Sequence, residues 1–383
     1  MQELGLTARF AAALAAVPDD IRVGPIGLAV SGGSDSIALL HLAHDWARAR
    51  GAALAVFTVD HKLRPAAAAE AEAVGAVCQG LGLSHRTLVW AAPVLRQSAA
   101  RRGRHALLAG ALKAAGGRLL LTGHTASDQA ETFLMRARQG SGWYGLAGMR
   151  RLSLSPVWPE GDGIWIARPL LGEARPDLRG WLEGQGAAWS EDPSNDDPAF
   201  ERVRVRARLS ADPGLADRIA ACQCHFSRLR ALEDALLARW MDDEVAPFLA
   251  PGLRARFDGL SPDRAARALG ILIQCVSGRE TPARSESLAN LTIRLLDPAN
   301  FKGATLAGVR VRKTGDRMYL TDEVGRAGDR QTATQIASRL AAFRRLFLNS
   351  AKETESRSGK ESFLKALVPI FTGETVSSDR DDP

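Results

Sequence analysis

The chain has 383 residues, 46% of them hydrophobic and 24% charged, a length that suits about two or three domains with sizeable cores. It has four scattered cysteines and no apolar stretch as long as a transmembrane helix, which excludes a disulfide-rich secreted domain and an integral membrane protein. The 50 Lys and Arg residues exceed the 43 Asp and Glu residues, which permits a polyanionic partner. We therefore expect a cytoplasmic protein that does not insert into a membrane.

The most informative segment lies between an apolar run at residues 26–30 and a helix-forming run at residues 37–43. Its residues are glycine, serine or aspartate: Ser31, Gly32, Gly33, Ser34, Asp35 and Ser36. Glycines let backbone N–H groups approach a phosphate, and the following helix N-terminus adds partial positive charge. Asp35 would repel a phosphate unless Mg²⁺ lay between them, so the segment predicts a metal–nucleotide site with Asp35 as a metal ligand. The alternative is an ordinary turn.

The first half of the chain alternates between strand and helix patterns. Further strands are predicted at residues 53–59, 87–90 and 119–121, and helices at 66–80, at 97–115 and from Ser127 onward. This rhythm predicts an α/β fold with a doubly wound parallel sheet, whose ligands bind at the carboxyl ends of the strands. Three predicted strands end in polar clusters, which are residues 31–36, 60–64 and 122–129.

The loop motif resembles the PP-loop of the ATP pyrophosphatases, which split ATP into AMP and pyrophosphate. Later motifs make residues 20–210 similar to one branch of these enzymes, the tRNA(Ile)-lysidine synthetases. The motifs are Asp60-His61-Lys62-Leu63-Arg64, Ala100-Arg101 with Arg104, the blocks at 123–132 and 140–149, Arg168-Pro169-Leu170-Leu171, Glu191-Asp192-Pro193-Ser194-Asn195 and the arginines after residue 201. The chain departs from the family pattern at Lys62, at Val203 and at Ser127, where the family usually has Asp.

The resemblance implies a two-step reaction that uses ATP as a substrate and Mg²⁺ as a cofactor. The C2 carbonyl oxygen of the wobble cytidine, in an isoleucine tRNA with a CAU anticodon, attacks the α-phosphate of ATP. The ε-amine of free L-lysine then displaces AMP and leaves lysidine. Adenylation is needed because a carbonyl oxygen is a poor leaving group, and the charge that develops on pyrophosphate calls for metal and cationic side chains.

Within this scheme, residues 31–36 hold the pyrophosphate part of ATP, and Arg101 contacts the α-phosphate. Arg101 could instead be a helix-surface arginine. His61 and Arg64 are expected near the mouth of the site, facing phosphate or RNA. Asp128 and Glu131 lie three positions apart on one helix face, so one of them could hold the lysine ammonium group. The alternative is that both carboxylates bind nothing and only stabilise the N-terminus of the helix through its dipole.

The segment at residues 202–208 alternates arginine with smaller or apolar residues. In a strand its arginines would share one face, in a helix they would spread, and either arrangement suits a phosphate backbone. We therefore expect it to contact tRNA and to affect ATP binding little, because it lies beyond the nucleotide loops in sequence; the alternative is a solvated connector between domains. The arginines concerned are Arg202, Arg204, Arg206 and Arg208.

Three regions follow from these patterns. Residues 1–210 are expected to form the PP-loop domain, 211–325 a helical accessory domain with a small β element near 301–320, and 326–383 a partly disordered tail with a possible helix at 335–348. The rivals are another PP-loop enzyme and a non-catalytic RNA-binding protein. A tRNA thiolase with paired cysteines is disfavoured because the chain has no Cys-x-x-Cys motif.

Overall fold

The computed structural model describes residues 5–60, 62, 66–90, 97–191, 197, 199–212, 214–248, 251–297, 301–323 and 331–355. His61 and Arg64 lie outside these residues, so their predicted place at the mouth of the site remains an expectation. Among the described helices, none combines the length and the apolar character that crossing a membrane requires.

A six-stranded sheet forms the centre of the N-terminal half. Its strands are β1 (Ile26–Ala29), β2 (Leu54–Asp60), β3 (His85–Val89), β4 (Leu119–Thr122), β5 (Leu152–Leu154) and β6 (Trp165–Ala167). Their order is β3-β2-β1-β4-β6-β5, and all neighbours run parallel except the edge strand β5, which is antiparallel to β6. The predicted parallel α/β sheet is confirmed.

Helices cover both faces of this sheet. They are α1 (Leu6–Ala15), α2 (Ser34–Arg48), α3 (Ala66–Gly80), α4 (Gln97–Ala114), α5 (Ala126–Arg138), α6 (Trp143–Leu146), α7 (Arg175–Gly184) and α8 (Glu201–Ala211). Side chains alternate between faces along a strand, and in β4 Leu120 packs with Leu112 of α4 whereas Leu121 belongs to the core with α1 and α2. Two apolar cores on opposite faces are the mark of a doubly wound sheet.

The C-terminal half begins with the long helix α9 (Leu215–Glu244). The hairpin expected near 301–320 is present, but it belongs to a larger sheet. The remaining elements are β7 (Val245–Phe248), β8 (Gly252–Ala255), α10 (Pro262–Ser277), α11 (Ser285–Leu296), β9 (Ala304–Leu306), β10 (Val309–Thr314), β11 (Arg317–Asp322) and α12 (Ala333–Glu355). The strands form an antiparallel sheet in the order β7-β8-β11-β10-β9. The helical module thus has a five-stranded sheet.

The expected tail after residue 325 is in part a packed helix. In α12, Ile336, Leu340 and Phe347 are buried in the core, and Arg344 donates a hydrogen bond to the carbonyl of Val245 at 2.9 Å. The helix predicted at 335–348 is confirmed and is longer at both ends. Its apolar face packs against α9, which explains why this segment is ordered with the helical module. Residues 356–383 lie outside the described part of the chain.

A buried carboxylate connects the two halves of the molecule. Asp234 of α9 has no exposed side-chain surface and accepts hydrogen bonds from Arg150 at 2.6 Å, Arg267 at 2.7 Å and the Tyr144 hydroxyl at 2.9 Å. Arg150 and Tyr144 belong to the PP-loop half, whereas Arg267 lies on α10. Because separation of the halves would take from the buried Asp234 both Arg150 and the Tyr144 hydroxyl, this network fixes α9 against the N-terminal half.

Candidate active site

The predicted phosphate loop joins β1 to α2. Gly33 is the residue before the first turn of α2, and Gly32 has a φ angle of +91°, which only glycine adopts without strain. The hydroxyl of Ser36 accepts a hydrogen bond from the Ser31 N–H group at 3.1 Å and donates one to the Gly33 carbonyl at 2.9 Å. The Ser36 hydroxyl therefore shapes the loop from within. The first N–H groups of α2 have no partner within the helix and provide an anion site.

The loop after β4 closely approaches the start of α2. At Gly123 a Cβ atom would lie 2.9 Å from the carbonyl oxygen of Asp35, so a larger residue would force the two segments apart. β1 and β4 are neighbours in the sheet, so their carboxyl ends meet at one edge. The predicted convergence of residues 31–36 with 122–129 is therefore present in the structure.

One guanidinium group joins three carboxylates in this cleft. The Nε atom of Arg175 lies 2.9 Å from Asp35, and its terminal nitrogens lie 3.4 Å from Asp128 and 3.5 Å from Glu131. These carboxylates hold the pKa of Arg175 above its usual value despite burial. No local pattern pointed to Arg175, since its three partners lie far away in the chain. A cation at this place could be expected only from the general rule that clustered carboxylates require a compensating charge.

Asp128 caps α5 and also faces the cleft. One of its carboxylate oxygens accepts hydrogen bonds from the Thr125 N–H group at 2.9 Å and hydroxyl at 3.0 Å, which completes a capping box at the start of α5. The other oxygen faces Arg175. Asp128 therefore stabilises the helix N-terminus and still presents negative charge to the cleft.

The arginine segment is helical, and part of it lies in the same cleft. Arg206 and Arg202 of α8 approach Glu131 at 2.7 and 3.4 Å, and only 1% of the Glu131 side chain is exposed. Arg204 points elsewhere and donates to the carbonyl of Ala199. Residues i and i+4 share a helix face, whereas residue i+2 does not. Although this segment lies beyond the nucleotide loops in sequence, Arg202 and Arg206 therefore reach a carboxylate of the cleft.

A group of cations borders the carboxylates. Burial and the charge of Arg202 lower the pKa of Arg101, and burial and the charges of Arg101 and Arg202 lower that of Arg104. Burial lowers the pKa of Arg168 to about 10, and Arg101 adds to this effect. Burial and the charge of Arg168 lower the pKa of His124 to about 4, so this imidazole is neutral at pH 7. Arg101 and Arg104 are nevertheless exposed on the surface of α4, and cations that repel one another in this way are suited to an anion.

Asp35 fits the expected metal ligand. Mg²⁺ in nucleotide sites needs only one or two protein carboxylates, because phosphate oxygens and water complete its shell. Burial raises the pKa of Asp35, although Arg175 opposes this effect, so the carboxylate would gain from a further cation. Lys62, at a position where the family favours glycine, has a φ angle of +49°. Glycine adopts this backbone conformation more readily than lysine.

Comparison with known proteins agrees with this geometry. Residues 6–212 match the PP-loop domain family. A tRNA(Ile)-lysidine synthase of Hyphomonas neptunium is 52% identical over 364 residues, which cover 95% of this chain and 98% of that protein. Another, from Rhodopseudomonas palustris, is 40% identical over 79% of this chain and 92% of its own length. Similarity of this extent shows that the chain belongs to the tRNA(Ile)-lysidine synthase family, whose members are ATP-dependent ligases with a PP-loop domain.

Proposed function

We propose that this chain adenylates the C2 carbonyl oxygen of the wobble cytidine in a CAU-anticodon isoleucine tRNA and then joins free L-lysine to C2. The observation that carries the proposal is the position of Arg175, which touches Asp35 of the phosphate loop and both carboxylates of the Asp128–Glu131 pair. A nucleotide phosphate site and a site for an ammonium group therefore share one cleft. That proximity is what transfer from an adenylated base to an amine requires.

In the first step, the triphosphate would lie at the N-terminus of α2 against the glycines of residues 31–33. Asp35 would hold Mg²⁺, which when bound neutralises charge on the departing pyrophosphate. Arg101 is exposed beside Arg202, whose charge it feels, and is suited to the α-phosphate. The cytidine oxygen forms a bond to the α-phosphorus while the bond to the pyrophosphate oxygen breaks.

In the second step, Asp128 and Glu131 would bind an ammonium group of lysine. The attacking ε-amine must be uncharged. Its nitrogen forms a bond to C2, the bond between C2 and the bridging oxygen breaks, and AMP leaves with that oxygen while the amine releases a proton. His124 is neutral at pH 7, but its pKa of about 4 makes it too weak a base to take this proton, which passes to solvent.

The tRNA would approach from the open side of this cleft. Arg204 and Arg208 are exposed on α8, beside the two arginines that enter the site. Exposed arginines next to an active site suit the phosphates that flank the target nucleotide. We propose that the reaction takes place in the cytoplasm, where tRNA and free lysine are both available.

The test is a reaction of the full chain with tRNA, ATP, Mg²⁺ and isotope-labelled lysine, followed by mass spectrometry of the nucleosides. The matched control replaces the wobble cytidine by uridine, which should abolish lysine incorporation. Label at the wobble position that depends on ATP supports the proposal. Pyrophosphate release without lysine incorporation would favour a different PP-loop reaction, and no pyrophosphate release at all would favour the non-catalytic RNA-binding alternative.

A further inference from the structure

Asp35 depends on Arg175 more than the other carboxylates of the cleft do. Its other described hydrogen bond comes from the Ser34 hydroxyl at 3.4 Å, whereas the Arg175 Nε atom lies at 2.9 Å. Asp128 also has its cap at Thr125, and Glu131 also has Arg202 and Arg206. Loss of the Arg175 guanidinium would therefore leave Asp35 with the least compensation of the three.

The backbone at Arg175 is held in place while its side chain faces the cleft opening. The Arg175 N–H group donates to the Ser127 hydroxyl at 3.3 Å. Two residues earlier, the Glu173 side chain binds Arg9 at 2.6 Å, and the Glu173 carbonyl accepts the Ala126 N–H group at 2.8 Å. The exposed fraction of the Arg175 side chain is 21%. The guanidinium can therefore turn about its own side-chain bonds without any movement of α7.

Arg175 and a metal ion cannot occupy the same oxygen of Asp35. A Mg²⁺ ion binds a carboxylate oxygen at about 2.1 Å, closer than the guanidinium nitrogen now lies. Two cations at that distance also repel each other strongly in a partly desolvated cleft. Metal binding at this oxygen of Asp35 therefore requires the guanidinium to leave it.

We propose that Arg175 is a resident counter-cation of Asp35 that competes with metal, by direct contact at Oδ2 and by charge repulsion at Oδ1, so that the nucleotide-free enzyme binds free metal poorly. Metal–ATP overcomes this competition because its phosphates offer the displaced guanidinium a new partner. Arg175 thereby acts as a positioning residue that makes metal entry depend on the nucleotide. This inference rests on the proposed function only in taking Asp35 as the metal ligand.

The test measures Mn²⁺ binding to the full-length protein without ATP, by electron paramagnetic resonance of the free ion. Arg175→Gln should bind Mn²⁺ about ten-fold or more tightly than the unchanged protein, since it removes a charged hydrogen bond that competes with the metal. Arg175→Lys keeps the positive charge and should stay close to the unchanged protein. Arg179→Gln is the matched control, because Arg179 lies one turn further on α7 and contacts Ser34 and Glu191 but no carboxylate of the cleft. It should cause no gain.

A second readout covers the case in which Arg175→Gln folds less stably. Mn²⁺ without ATP should then raise the unfolding temperature of Arg175→Gln but not that of the unchanged protein. The double variant Asp35→Asn with Arg175→Gln should lose both gains. No gain in Mn²⁺ affinity and no Mn²⁺-dependent stabilisation in Arg175→Gln would overturn the inference.

A third measurement separates this inference from the proposed function. Mn²⁺ binding is repeated in the presence of a non-hydrolysable ATP analogue, with the unchanged protein and with Asp35→Asn. If Asp35→Asn weakens this binding while Arg175→Gln shows no gain without nucleotide, Asp35 is the metal ligand and only the displacement by Arg175 is wrong. If Asp35→Asn has no effect, both the inference and the assigned metal ligand fail.

Discussion

The Nε atom of Arg206 lies 2.7 Å from Oε1 of Glu131, and this ion pair joins α8 to α5 inside the cleft. Glu131 is almost fully buried, so the pair is screened from solvent on the carboxylate side. A helix whose arginines suit RNA phosphates is thus connected directly to the carboxylates proposed to bind lysine. The two proposed binding sites, for tRNA and for lysine, meet at this contact.

We expect Arg206→Gln to lower the KM for lysine by roughly ten-fold or more, because it removes a charge-assisted hydrogen bond worth about 1.5–3 kcal/mol that competes with the lysine ammonium group for Glu131. Arg204→Gln is the matched control two residues away, since Arg204 does not contact Glu131 in the structure. It should leave the KM for lysine unchanged. Steady-state kinetics with varied lysine, at saturating ATP and tRNA, measures both effects.

The same pair of variants separates the cleft arginines from the RNA-facing ones. Arg204→Gln should lower the slope of log tRNA affinity against log salt by nearly one if Arg204 contacts a phosphate. Equal KM values for lysine in both variants would contradict the assignment of Arg206 to the cleft. An unaltered salt slope in Arg204→Gln would instead identify that residue as connector surface.

We expect Asp35→Asn to abolish pyrophosphate release while the protein stays folded. Asp35 belongs to the first turn of α2 and lines the cleft, so amide replacement removes a metal ligand without removing core volume. Pyrophosphate release at saturating ATP and Mg²⁺ is compared with the unfolding temperature of the same sample. Near-normal turnover would show that Asp35 is not required for metal binding.

The sequence predicted the sheet and the meeting of Asp35 with Asp128, because both follow neighbouring parallel strands and these strands end at one edge. It did not predict Arg175, whose contact with Asp35 spans 140 positions and leaves no local pattern. The alternating arginines fitted a strand or a helix equally well. The segment is the helix α8, in which Arg202 and Arg206 share the face that contacts Glu131.

The sequence patterns predicted only a hairpin of the second sheet and missed its other strands, for a different reason. The strand β7 follows α9 without a turn residue between them, and Pro247 within it argues against a strand by the usual rule. β7 is an edge strand, where proline is tolerated. The hairpin of β10 and β11 was predictable because Gly315 marks its turn, at a φ angle of +63°.

We expect Arg101→Gln to lower kcat for pyrophosphate release far more than it lowers tRNA affinity. Besides burial, the positive charge of Arg202 lowers the pKa of Arg101. An anion bound beside Arg101 would therefore relieve the repulsion between the two arginines. An α-phosphate that gains charge in the transition state uses this contact more than bound ATP does. The measurements are ATP–pyrophosphate exchange and tRNA binding on the same variant. A large loss of tRNA affinity with unchanged kcat would assign Arg101 to RNA instead.

We expect His105 to make the protein less stable as the pH falls. Burial, together with the charge of Arg104, lowers the pKa of His105 to about 3. Between its ordinary value near 6.5 and this lowered pKa, the unfolded chain binds a proton that the folded chain does not, so the free energy of unfolding falls with decreasing pH. One such group contributes at most about 1.4 kcal/mol per pH unit. Urea unfolding from pH 7 to pH 4 should be less pH-dependent in His105→Gln, and an unchanged slope would contradict this.

The last prediction concerns Ser127, where the family usually has a second aspartate. Its hydroxyl accepts the Arg175 N–H group at 3.3 Å, a contact that a carboxylate oxygen could also make. The cleft already has three carboxylates, Asp35, Asp128 and Glu131, matched by three arginines, Arg175, Arg202 and Arg206. A fourth carboxylate would therefore add uncompensated charge without replacing a missing ligand. We expect Ser127→Asp to change the KM for lysine and kcat only a few-fold.

The opposite outcome has a clear physical meaning. If the absent carboxylate were the group that binds the lysine ammonium, its restoration would add a charge-assisted contact worth about 1.5–3 kcal/mol, roughly ten- to a hundred-fold in rate or affinity. Steady-state kinetics with varied lysine at saturating ATP and tRNA distinguishes the two cases. Ser127→Asn is the matched control, because it changes size and hydrogen bonding at this position without adding charge. A gain above roughly ten-fold in Ser127→Asp that is absent in Ser127→Asn would show that Asp128 and Glu131 do not suffice for lysine.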